Sequence, residues 1–174
     1  GTWVGEIGRL MTTRNFIVTD AGGQRIAAAS TLWAMIDVKT RQPLDLRDNV
    51  DYSRALLAIP CPIDKPAKIG RIEGVPCDSR RVRYSDIDFN QHTNSMKYIQ
   101  WMLDALPLEK LTGCRMKRLD VNFVHETRYG QQLVVCCEYG TDRDRFEIRF
   151  EDGTAACKAA IRWETSDERS NQTA

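Results

Sequence analysis

A chain of 174 residues with a formal net charge of +1, 42% hydrophobic and 28% charged residues, has the composition of an ordinary globular protein. Its near-balanced charge gives no global drive toward nucleic acid or an anionic membrane, and no apolar run approaches the ~20 residues needed to span a bilayer. The length allows one sizeable core, or two smaller ones sharing a sheet.

Residues 2–20 read as one long strand or two successive ones. Ala21 to Gln24 is a turn, Arg25 to Lys39 a further strand, and Arg41 to Pro43 ends that block. Asp51 to Ile59 fits a short helix with Leu56, Leu57 and Ile59 on its buried side. Residues 60–76 then hold four of the six prolines, which predicts an extended linker laid over a surface.

Arg81 to Ile87 looks extended and leads into a short polar loop, Asp88 to Asn94. Beyond it Tyr98, Met102, Ala105 and Leu106 share one helical face, flanked by Ile99 and Leu103, with Asn94 as N-cap and Pro107 as stop. Asp88, Asn90 and His92 are thus delivered to a helix N-terminus. The partial positive charge and unpaired N–H groups of that end, near Asn94 to Met96, can stabilise an oxyanion.

The rest reads as an antiparallel sheet. Arg115 to Glu126 is a strand with Leu119, Val121 and Phe123 on its buried face. Gln131 to Tyr139 follows, then Arg145 to Glu151 with Phe146, Ile148 and Phe150 inward. Glu151-Asp152-Gly153 is a hairpin turn into Thr154 to Glu164. Simple alternation from Phe123 puts His125, not Glu126, on the buried side. Either a bulge near Val124 re-aims the pair, or the other face carries the site. The tail, 166–174, is polar and expected to fray.

An internal repeat supports this layout. Residues 16–33 and 146–163 align without gaps at an offset of 130, with Phe16/Phe146, Gly23/Gly153, Ala29/Ala159 and Trp33/Trp163 identical. Under the same offset Gly1 corresponds to Gln131, so the chain is expected to carry an incomplete first repeat. The apolar face of that repeat, with Phe16, Val18, Ala29 and Trp33, would then lack a cover of its own.

Six cysteines (61, 77, 114, 136, 137 and 157) form no Cys-x-x-Cys pair, and there are only two histidines, so no metal or cofactor is expected. Cys136 and Cys137 point to opposite faces of one strand, and reduced thiols are expected rather than a disulfide framework. The first residues, Gly1 to Glu6, have no signal or transit character.

The run Asp88-Phe89-Asn90-Gln91-His92-Thr93-Asn94, continued by Tyr98-Ile99 and Trp101, resembles the Asp-x-Asn-Gln-His-x-Asn-x-x-x-Tyr-Ile-x-Trp signature of acyl-acyl carrier protein thioesterases. Thr13 to Asp20 with Ala29 to Arg41 is similar to the first-domain strands of that family. The shorter Asp-x-Asn-x-His pattern also resembles small acyl-CoA thioesterases. The resemblance implies an α+β hotdog fold, in which an antiparallel sheet wraps a long central helix, in tandem. Residues 1–59 would be a partial first unit, 60–79 the linker and 80–165 the catalytic unit. It also implies hydrolysis of fatty acyl-carrier-protein thioesters, in the cytoplasm or, in a plant, the plastid.

In that family the catalytic positions are the Asp, Asn and His of the motif and a Glu on the next strand, here Asp88, Asn90, His92 and Glu126. Glu126 would be general base on water, Asn90 and His92 would orient water and the oxyanion, and Asp88 would orient His92 or attack the carbonyl itself. Plant members carry a cysteine immediately after the Glu. Here that position is Thr127, which favours a reaction needing no thiol. Lys65, Lys68, Arg71, Arg80, Arg81 and Arg83 are the basic residues that would meet acidic acyl carrier protein, with homodimerisation left open. The rivals are an acyl-CoA hydrolase and a catalytically silent acyl-binding protein.

Overall fold

The computed structural model describes residues 1–49, 51 and 56–164, and the chain divides into two compact units, Gly1–Pro66 and Ala67–Ala174.

The first unit is built on an antiparallel sheet ordered β1-β2-β3, from β1 (Thr2–Ile7), β2 (Thr12–Thr19) and β3 (Arg25–Trp33). The β3 strand ends earlier than the expected Lys39. Asp37 accepts hydrogen bonds from the Lys39 and Thr40 amides and the Thr40 hydroxyl, and such local bonds compete with strand pairing. The only helix among the unit's described residues is α1 (Leu46–Asn49). The helix expected over 51–59 falls partly on residues 52–55, outside the described residues. Leu56 and Leu57 instead run beside β1, with the Leu57 amide bonded to the Val4 carbonyl at 3.1 Å, and Leu56, Leu57 and Ile59 are exposed. Pro60 disfavours helical backbone at Ile59, and nine residues are too few for a helix to stand alone. Val18 (49% exposed) and Trp33 (56%) lie open on the sheet.

The second unit holds β4 (Val75–Arg81), α2 (Ser95–Asp104), α3 (Leu108–Gly113), β5 (Met116–Phe123), β6 (Gln132–Glu138), β7 (Arg143–Phe150) and β8 (Ala155–Trp163). Its five strands form one antiparallel sheet ordered β4-β6-β7-β8-β5. Register places Cys137 opposite Phe146, Val135 opposite Ile148, Phe146 opposite Ala159 and Leu119 opposite Ile161, so one face is continuously apolar. Helix α2 covers that face with Tyr98 and Met102, as expected, and also with Trp101, one turn from Tyr98, while Leu106, just past the helix end, joins the same core. Pro107 ends α2 but opens α3, where its fixed φ suits the position before a first turn. Lys110 of α3 reaches the buried Asp144 at 2.6 Å, and Asp144 also accepts from the Trp163 indole.

The opposite face is crossed by residues 67–72. Asn122 accepts from the Ile69 amide at 2.8 Å, Glu147 accepts from the Ile72 amide, and Arg149 donates to the Ile72 carbonyl at 2.6 Å. Ile69 and Ile72 (1% exposed) are buried. The expected linker 60–79 is therefore laid over a surface only in part. From Ala67 on it belongs to the second unit, and by Val75 it has become the edge strand β4, because two apolar side chains and a row of polar partners hold it there.

The two units repeat one hairpin. Val18 pairs with Ala27 and Thr19 with Arg25, and at an offset of 130 Ile148 pairs with Cys157 and Arg149 with Ala155. Both carry the same register shift, and Gly23 and Gly153 have φ of 84° and 83°, backbone that only glycine adopts freely. The offset does not extend to β1. Thr2 stands opposite Phe16 as Cys137 stands opposite Phe146, an offset of 135.

Cysteine pairing corrects the expectation of reduced thiols throughout. Cys77 on β4 and Cys137 on β6 are disulfide-bonded, with Cα atoms 6.0 Å apart, inside the range such a bond requires. Only strand register brings them together, and 60 residues of chain separate them.

Candidate active site

The loop between β4 and α2 is folded on its own polar groups. The Asp88 amide donates to the His92 carbonyl at 2.9 Å, and the Gln91 amide to the Asp88 carbonyl at 3.1 Å. Asp88 Oδ1 accepts from the amides of Asn90 (2.8 Å) and His92 (3.4 Å). Gln91 has φ of 65°, left-handed backbone that a residue with a side chain rarely adopts outside tight turns. Together these contacts swing His92 off the loop. Asp88 acts on the backbone that carries His92, not on its ring.

Strand β5 brings the other half. Phe123 is 55% exposed rather than buried, although its ring meets Tyr98 edge-on. The amides of Val124 and His125 both donate to the Ala156 carbonyl, at 2.9 and 3.0 Å, which is a bulge at the position where alternation needed one. Past it, Thr127 points inward and Glu126 points to His92. The His92 Nε2 to Glu126 Oε2 distance is 3.2 Å. His125 Nδ1 lies 2.8 Å from the Ala155 carbonyl, and that ring takes no part in the pair.

Arg128, two residues past Glu126, completes the cluster, with Nη2 3.4 Å from His92 Nε2. A hydrogen on Nε2 makes the ring a donor to Glu126; a hydrogen on Nδ1 makes it an acceptor from Arg128. Arg128 is not among the residues that the motif singles out. The available signal was its parity with Glu126, on either side of an inward residue.

Asn90 stands apart from this pair. Its side chain is exposed, and no hydrogen bond from it is found among the described residues. The helix amides expected to hold an oxyanion are largely occupied: Asn94 N–H donates to the Asp86 carbonyl at 2.8 Å and Met96 N–H to Asn94 Oδ1 at 2.9 Å. An N-cap side chain and an incoming loop have taken the donors that a bare helix end would offer.

Beside Asp88 lies a cavity of about 690 Å³, lined chiefly by Tyr84, Ile87, Phe89, Gln91 and Tyr129. Phe89 is 91% exposed there. The basic residues are unequal. Lys65 is paired with Glu6 at 2.5 Å, and Arg80 with Asp78 (2.6 Å) and Asp104 (3.2 Å), while Lys68, Arg71, Arg81 and Arg83 are exposed.

A five-stranded antiparallel sheet wrapped on one central helix is the hotdog fold. The acyl-ACP thioesterase C-terminal domain model matches residues 73–165, and the acyl-ACP thioesterase N-terminal domain model matches residues 1–52. The chain belongs to the acyl-ACP thioesterase family. It is similar to an acyl-ACP thioesterase from Bacteroides thetaiotaomicron, with 33% identity and a TM-score of 0.86, over 94% of this chain and 67% of that one. It also shares its fold with the 12:0-ACP thioesterase from Umbellularia californica, at 20% identity and a TM-score of 0.76, over 94% of this chain and 64% of that one. A chloroplastic acyl-[acyl-carrier-protein] hydrolase of Cuphea viscosissima is 26% identical over 98% of this chain, and the chain spans 44% of that relative's length.

Proposed function

We propose that this chain carries the catalytic site of a hydrolase that cleaves fatty acyl thioesters on acyl carrier protein, releasing free fatty acid. The observation that carries the reading is the 3.2 Å pairing of His92 with Glu126, two residues far apart in sequence, in a chain of this family.

The chemistry follows from a thioester's leaving group. Sulfur departs as a thiolate, so the site needs chiefly an activated water and a held oxyanion. Glu126 accepts a proton from water as its oxygen bonds to the acyl carbon. The carbonyl π pair moves onto oxygen, then returns as the C–S bond breaks, and the proton passes through the His92–Glu126 pair to the leaving sulfur. The Asn90 side-chain amide, whose donors meet no partner among the described residues, takes the oxyanion. Asp88 keeps the loop in register rather than attacking. A general base of this kind contributes roughly 10²–10⁴-fold and one oxyanion donor roughly 10²–10³-fold. The cavity beside Asp88 gives an apolar rim against which the substrate lies, and exposed Lys68, Arg71, Arg81 and Arg83 suit an acidic carrier.

Turnover of one acyl group presented on acyl carrier protein and on coenzyme A tests the reading. The carrier-protein thioester is expected to have the higher kcat/KM, with an advantage that shrinks as salt screens the basic residues. Equal turnover on both carriers at all salt concentrations would contradict the carrier-protein assignment, and no hydrolysis of either would contradict the hydrolase.

A further inference from the structure

Thr127 occupies the position next to Glu126, yet its hydroxyl is not available for chemistry. It is 0% exposed, accepts from the Tyr98 phenol at 2.8 Å and donates to the Thr93 hydroxyl at 2.6 Å. The Thr127 amide donates to the same phenol oxygen at 3.1 Å, and the Thr93 amide donates to the Thr127 carbonyl at 2.8 Å. Three buried hydroxyls and three backbone groups therefore close one network between the loop, the strand end and the N-terminal part of α2. Burial pushes the Tyr98 phenol up from its ordinary value, so it keeps the proton it donates.

The placement of this network gives it a consequence. Thr93 directly follows His92, and Thr127 directly follows Glu126. With both threonines turned inward and joined, the residue before each turns outward on the same side. That is where His92 and Glu126 meet.

We propose that Thr127, with Tyr98 and Thr93, is a positioning unit that sets the His92–Glu126 separation, and that Thr127 is not a nucleophile. The proposal rests on the hydrolase reading for its kinetic consequence, while its geometric consequence stands without it. A buried hydroxyl network of this kind is rigid because every member has its partners, and an unsatisfied one loosens. A displacement of about 1 Å at a reacting group costs up to ~10²-fold.

Three variants test it: Thr127→Val, which keeps the shape without the hydroxyl, Thr127→Ser, which keeps the hydroxyl, and Tyr98→Phe. Steady-state kinetics on an acyl-carrier-protein thioester and the crystal structure of each variant are the readouts. Thr127→Val and Tyr98→Phe are expected to lower kcat roughly 10–10²-fold with KM unchanged, and to move His92 and Glu126 out of hydrogen-bond reach. Thr127→Ser is expected to restore both. If Thr127→Val does not fold, Tyr98→Phe against Thr127→Ser reads the same comparison. Abolished turnover in Thr127→Val with the 3.2 Å contact intact would make Thr127 a reacting group and overturn the proposal. Undiminished kcat with the contact intact would overturn it too, as would a Thr127→Ser loss matching that of Thr127→Val. Should the wild type hydrolyse no thioester, the functional reading fails while the crystallographic comparison still decides the positioning role.

Discussion

At the scale of single residues, the site depends on which side chains the fold turns outward. Asp88, Asn94 and Thr127 are spent on the backbone or on one another, whereas Asn90 and the His92–Glu126 pair face outward. The thiols are likewise withdrawn. Cys136 and Cys157 are buried, burial pushes the Cys136 thiol up, and that of Cys157 rises to about 12. A thiol needs its thiolate form to react, so neither is a nucleophile near neutral pH. Treatment with iodoacetamide is expected to leave hydrolysis intact, with mass spectrometry showing label confined to partly exposed Cys61 and Cys114. Loss of turnover with the melting temperature unchanged would contradict this. The identities of the motif residues were legible in the sequence, and their division of labour was not. The spacing of Asp88 and His92 says nothing of whether a carboxylate meets a ring or an amide. That depends on a loop closed by hydrogen bonds and on a left-handed Gln91.

At the scale of elements, alternation served where a strand has a single buried face and failed where the strand ends. Phe146 and Ile148 sit as their spacing predicts, while Phe123 comes one residue before a bulge that reverses the pattern. The strap over residues 67–72 escaped composition altogether. The prolines on either side of it marked an extended chain, but its anchors, Asn122, Glu147 and Arg149, lie 50 to 80 residues away. Glu147 is the centre of that attachment. Burial would raise its carboxyl, but hydrogen bonds from Arg149 and the Ile72 amide, with the charges of Arg149 and Lys158, hold it below the usual carboxylate range. An unfolded-chain Glu titrates at about 4.3. With the folded value lower, this contribution is complete above about pH 4.3 and is lost as pH falls through the folded value. Glu147→Gln is therefore expected to lower the melting temperature at neutral pH, by an amount that shrinks in acid. A difference independent of pH between about 3 and 7 would show that the ionised carboxylate is not what holds the strap.

At the scale of the whole molecule, two hairpins with the same register shift and the same positive-φ glycine make the weak internal repeat a structural one. Four identities in eighteen aligned residues were enough to place the hairpins. They were not enough to place β1, because its paired stem with β2 is longer and carries a bulge between Val4 and Glu6, which changes the offset from 130 to 135. The family was legible from the loop and helix, since that motif combines a folded turn, an N-cap and an apolar face whose spacings are all fixed by backbone geometry. The disulfide between Cys77 and Cys137 was not, because it depends on which strands become neighbours.

The account turns on Glu126 as the base in a thioester hydrolysis. Its most direct test is the kcat of Glu126→Gln on an acyl-carrier-protein thioester, alongside the wild type, with folding checked by thermal melting. A fall of at least about 10²-fold with the melting transition preserved is the predicted result. Wild-type turnover in Glu126→Gln would contradict it.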